Sequence, residues 1–280
     1  MGDGIQWLVG ATSSSGWMLD VHFARGIGVE ELARRMGAAL GARAEPMTDV
    51  EVAYLDVDAY PERGLGSAVI RVGEDAGWAF AITYGPYLDR LGEVSRDGVE
   101  AVHYHYNSEH PPTIVLYARD GRTVCGFGLC EENNRYGDEP DLLLPDLVAA
   151  GILDPDRRTY RDPDIDDFDD RERLGLAVFE ERFGLSLPRS ALAEARLPVY
   201  AIMGSPAPDF EEISAWAAAN EKPLPDPHLR LIPAGLRKEY ERATDPQWWE
   251  RRTRPLTGGI ALGGLHTSGV LKNLEGETER

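Results

Sequence analysis

SAVIRVGEDAGWAFAITY, residues 67–84, carries the pattern that decides the fold. Ala68, Ile70 and Val72 alternate with Val69 and Arg71. After the turn GEDAG, the large residues Trp78, Phe80, Ile82 and Tyr84 alternate with Ala79, Ala81 and Thr83. A period of two sends successive side chains to opposite faces of a strand. Two such runs joined by a short glycine-bearing turn read as a β-hairpin. Large residues on one face and small ones on the other suit a sheet packed on a core on one side.

The same pattern extends in both directions. WMLDVHFAR at 17–25 reads as a strand, and 99–106, 113–119 and 122–129 read as three more. Asp120-Gly121 between the last two is a two-residue hairpin signal, because a type I′ turn needs positive φ at both positions. Residues 197–203 return as a strand. Helical spacing predicts helices over 29–40, 86–95, 138–150 and 171–183, and a further one after Asp209, carrying Ile213, Trp216 and Ala217. EVAYLDV at 51–57 is strand-like, but its flanks are turn-rich.

Short turns between consecutive strands argue against a doubly wound parallel sheet. The expected fold is α+β, an antiparallel or mixed sheet of about five to seven strands with helices packed on one face. Residues 1–203 form the expected core domain, and 204–280 a helical or irregular C-terminal appendage with a Gly-rich end.

Composition narrows the function classes. The chain has 280 residues, 42% of them apolar, and 48 acidic against 29 basic residues give a net charge of −19. Such a field repels nucleic-acid phosphates and anionic membranes and attracts basic partners. No apolar run approaches a membrane span and the N-terminus lacks a leader pattern, so a cytoplasmic protein is expected. Cys125 and Cys130 would stand ~16 Å apart on an extended chain, too far to bridge. Both are read as reduced thiols.

Four segments carry a family resemblance: FARGIGVEELARRMGA (23–38), VGEDAGWAFAITY (72–84), LYARDGR (116–122) and RYGDEPDLLLPDL (135–147). In this order the chain resembles, over roughly residues 16–203, a family of bacterial proteins known only as a domain of unknown function. The resemblance implies one recurring α+β domain and brings no catalytic residues with it.

Three constellations bear on chemistry. His103 and His105 lie two apart on a strand and so share a face, and His110 follows in the next loop. Three imidazoles could hold a divalent transition metal. The competing reading turns Val102, Tyr104 and Tyr106 to the core and the histidines to solvent, and no carboxylate stands at an obvious ligand spacing. The second is the run Asp162, Asp164, Asp166, Asp167, Asp169 and Asp170. An EF-hand register fails there, since Asp167 replaces the turn glycine and Arg173 the bidentate acid. Residues 138–172 hold 13 acidic against 4 basic side chains, which suits a docking surface for a basic protein. The third is the tail, where Trp248 and Trp249 stand among arginines. Docking of both tryptophans on the core is favoured over nucleic-acid binding.

Phosphate-loop, zincin and nucleophile-elbow motifs are missing from the sequence, and no cofactor is expected. The reading leans to a non-enzymatic acidic module that engages a basic protein, an immunity protein that neutralises a toxin being one form. The alternatives are an enzyme with His103 or His105 as general base in a pocket between sheet and helices, and a structural subunit tethered by its tail.

Overall fold

The computed structural model describes residues 2–13, 16–53, 68–85, 87–156, 159–161, 167–202, 210–224, 232 and 234–244. In chain order the elements are β1 (Met18–Arg25), α1 (Val29–Met36), β2 (Ala38–Met47), α2 (Asp49–Ala53), β3 (Ala68–Asp75), β4 (Trp78–Tyr84), α3 (Leu91–Val94) and β5 (Glu100–Asn107). There follow β6 (Ile114–Arg119), β7 (Arg122–Gly128), α4 (Leu144–Ala149), α5 (Phe168–Phe183), β8 (Leu197–Ile202), α6 (Phe210–Ala219) and α7 (Ala234–Thr244). One compact unit spans Met1–Lys238, and Glu239–Arg280 makes a second. Residues 203–209, where the sequence reading divides the chain, lie outside the described residues.

All the strands among the described residues join one antiparallel sheet in the order β2-β8-β3-β4-β1-β5-β6-β7. The sheet has eight strands rather than five to seven. The extra one is β2, which begins inside the run expected to continue α1. Gly37 stops that helix at φ 106°, a left-handed conformation that costs glycine little, and the chain turns straight into β2. AALGARAEPM is poor in strand-forming residues and holds Pro46, and its register with β8 shifts twice, as an edge strand allows. The Asp120-Gly121 turn matches its sequence, whereas the turn read as GEDAG narrows to Ala76-Gly77, since Gly73, Glu74 and Asp75 pair across the ladder with Phe80, Ala79 and Trp78. Ala76-Gly77 and Asp120-Gly121 both take positive φ at both central positions.

Helices cover both faces, not one. On the large-residue face, Phe23, Phe80, Ile82, Tyr104 and Phe127 pack with Leu176, Phe179 and Phe183 of α5. On the small-residue face, Ala24, Ala79, Ala81, Ala101 and Ala118 lie under Leu32, Ala33 and Met36 of α1 and Leu91 and Val94 of α3. The small side chains of that face lie, on the sequence reading, away from the one expected core. Here they let two short helices approach the strands closely, and every residue of β4 is buried.

α5 starts on Asp167, whose carboxylate accepts from the backbone N–H groups of Asp169 and Asp170, and it ends at Gly184 in the left-handed region. Among the described residues no helix is long and apolar enough to cross a membrane.

Candidate metal centre

The alternation that fixes the strands also sorts their polar residues. On β1, Leu19, Val21 and Phe23 enter the large-residue core, so Asp20 and His22 must point to the other face. On β5, Val102 and Tyr104 do the same, which sends His103 and His105 to that face as well. Register then brings the two strands together. Asp20 pairs with His105 and His22 with His103, so the four side chains form a square. Thr83 of β4 stands directly opposite Asp20 on the far side.

Asp20, His22 and His103 are 0–1% exposed, and only the His105 side chain, at 16%, reaches solvent. The expectation of solvated histidines is thus reversed for His103. Asp20 Oδ2 accepts from His103 Nε2 and from His105 Nδ1, each at 3.0 Å. An ionised carboxylate can only accept, so both of those nitrogens carry the proton. In a neutral His103 ring this leaves a lone pair on Nδ1, whereas an imidazolium makes the same bond with none. His22 Nδ1 lies 3.3 Å from Asp20 Oδ1 but off-line, and neither atom has a hydrogen-bond partner. The His22 and His103 rings stack at 4.1 Å. Tyr87, from the loop before α3, stands edge-on to His105 at 4.9 Å and tilted over His103 at 5.8 Å.

Burial alone would raise the Asp20 carboxyl. The charge and hydrogen bond of His103, with help from His105 and His22, hold it well below the usual carboxylate range. Burial lowers His22 to about 4, with the charge of His103 acting in the same sense, so its ring is neutral at pH 7. The centre therefore offers a carboxylate and the neutral His22 ring, with His103 a ligand only when it gives up its second proton, and carboxylate and imidazole are donors that divalent first-row metals take.

The donors are also close. One ligand atom from each of Asp20, His22 and His103 lies within 4.8 Å of the others. Among the described residues, five buried side-chain polar atoms without a hydrogen-bond partner sit here: Asp20 Oδ1, His22 Nδ1 and Nε2, His103 Nδ1 and Thr83 Oγ1. Buried polar groups are nearly always satisfied, so five such atoms in one cluster depart from the rule.

Of the residues singled out on sequence, His103 and His105 fall in the centre. His110 is exposed in the turn after β5 and stands outside it. The carboxylate thought missing is Asp20, 83 residues from His103 in the chain. Asp20 and His22 went unrecognised as donors. Their signal is present, since D-x-H in β1 mirrors H-x-H in β5, each interrupting an otherwise apolar strand. Asp162, Asp164 and Asp166, and Trp248 and Trp249, lie outside the described residues. Asp167 caps α5, while Asp169 and Asp170 pair with Arg173 at 3.5 and 2.8 Å. Cys125 and Cys130 are free thiols, and burial together with Glu132 and Glu172 pushes Cys130 up to about 12.

An eight-stranded antiparallel sheet covered on both faces, with a two-histidine, one-carboxylate cluster buried on one of them, defines an α+β protein with a candidate metal centre. The chain belongs to a family of unknown function, DUF6461, whose model matches residues 6–205. No curated protein and no solved structure matches it.

Proposed function

We propose that this protein binds a divalent first-row transition metal through Asp20, His22 and His103, with His105 as the residue that orients Asp20. The observation that supports it is the closeness of one ligand atom from each of three buried side chains, all of which also carry an unpartnered polar atom. His105 holds Asp20 Oδ2 and leaves Oδ1 for the ion, the usual division between a ligand and its supporting hydrogen bond. Neither His22 nitrogen is hydrogen-bonded, so that ring turns from its stacked position toward an ion without breaking a hydrogen bond. Three protein ligands leave coordination positions open, which is the arrangement of catalytic rather than structural sites. This develops the enzyme alternative, with histidine as ligand rather than as general base.

Metal-depleted protein titrated with Zn(II) or Co(II) should take up one equivalent. A ligand that binds only the folded state adds about 2.7 kcal/mol of stability at a free concentration a hundredfold above Kd. His22→Ala and His103→Ala should lose uptake and the thermal shift, while His110→Ala keeps both. Wild-type protein that shows neither uptake nor a shift would sink the assignment.

Docking of a basic protein is the second function proposed, and an immunity protein is one form of it. Its support is the net charge of −19 and the acidic surplus over 138–172. It ranks lower because Asp167, Asp169 and Asp170 are occupied within α5. Replacing Asp164, Asp166, Asp167 and Asp169 by Asn should weaken capture of a co-purifying basic protein and flatten its salt dependence. Unchanged capture would remove the idea.

A further inference from the structure

The register carries two rows of side chains past the histidines on the same face of the sheet. One row runs Thr83, Asp20, His105, Ile114, Gly128. The next runs Ala81, His22, His103, Leu116, Gly126, and an isolated bridge adds Tyr136 opposite Gly126. Residues paired directly across a ladder share a face. Beyond the donors, therefore, the surface turns apolar and then ends at a tyrosine.

This strip is low and partly open. A Cβ at Gly126 would meet Leu116 Cδ2 at 2.3 Å, and one at Gly128 would meet Pro112 Cγ at 2.4 Å. Leu116 and Pro112 thus lie flat over a β7 backbone that has no side chains of its own there. Ile114 and Leu116 keep part of their surface in solvent, unlike the alanines under α1 on the other side of the cluster. Tyr87 and Tyr136, 49% and 47% exposed, are two of the five large hydrophobic side chains that the described residues leave exposed. Tyr87 is the one that leans on His103 and His105.

We propose that this strip takes a small organic anion, with an oxygen-donor head on the metal and an apolar body across Leu116 and Ile114 between Tyr87 and Tyr136. The inference rests on the metal reading. A dication beside one carboxylate and neutral imidazoles leaves one net positive charge. An anionic head gains by settling at such a cation, because a contact at bonding distance outweighs the distant, salt-screened repulsion of a molecule of net charge −19. Two strands of floor are about 10 Å wide, which fits a single ring or a short chain.

The test uses the full-length Co(II)-loaded protein, titrated with benzohydroxamate and with acetohydroxamate and followed by Co(II) visible absorption. The two probes share one chelating head and differ in the apolar body. Benzohydroxamate should bind at least tenfold more tightly, and Tyr136→Ala should cut that ratio to threefold or less without changing Co(II) affinity. Co(II) uptake with equal hydroxamate affinities, or a ratio unmoved by Tyr136→Ala, would overturn this inference alone. Failure to take up Co(II) would overturn the metal reading with it. A dimer by light scattering that Tyr136→Ala dissolves would assign the strip to a second copy of the chain and overturn the small-molecule occupant.

Discussion

Glu132, just after β7, is fully buried, with Oε1 accepting from the Cys130 N–H at 2.9 Å and Oε2 lacking a partner. Burial raises its carboxyl above the ordinary 4.5, outweighing the backbone hydrogen bonds and the charge of Arg171. The native state therefore keeps this proton to higher pH than the unfolded chain does. As pH rises from 4.5 through the raised native value, the folded protein binds more protons than the unfolded one, so stability falls. Glu132→Gln keeps the acceptor and removes the charge. It should flatten that part of the pH–stability curve and leave Tm at pH 7 equal to or above wild type. A lower Tm at pH 7 would show that the ionised carboxylate is needed. His103 and His105 were legible as a pair because a strand's period is two. Asp20 and His22 were not joined to them, because pairing over 83 residues is a matter of register, which no local pattern states.

α5 shows why element boundaries came out only in part. Its apolar stripe Leu176, Phe179, Phe183 was readable from spacing, but the helix begins at Phe168, inside the acidic run. The run that suggested a docking surface ends in a helix cap, with two of its members paired to Arg173. Asp167→Ala should lower stability by about 1 kcal/mol in urea titration, the usual effect of losing such a cap. No change would mean that Asp167 serves something other than the helix. β2 was missed for the opposite reason. AALGARAEPM carries helix-compatible residues, and its strand state comes from pairing with β8.

Over the whole molecule, strand order predicts where the structure opens. β4 and β1 lie in the interior of the sheet and carry fully buried residues on both faces, while β2 has a neighbour on one side only and an irregular register. Native-state hydrogen exchange should find the β1 and β4 amides exchanging only through global unfolding, and those of β2 through local fraying. Equal protection for β2 and β4 would contradict this order. By itself the sequence determined seven of the eight strands and most of the helices, the Asp120-Gly121 turn, an antiparallel or mixed sheet and the strong negative charge, because period, glycine placement and composition are local quantities. Only the tertiary structure decided that both sheet faces are covered, that β1 lies between β4 and β5, and that Asp20 and His22 meet His103. Those facts depend on which distant strands pair and in what register, and that is settled by burying all the faces at once.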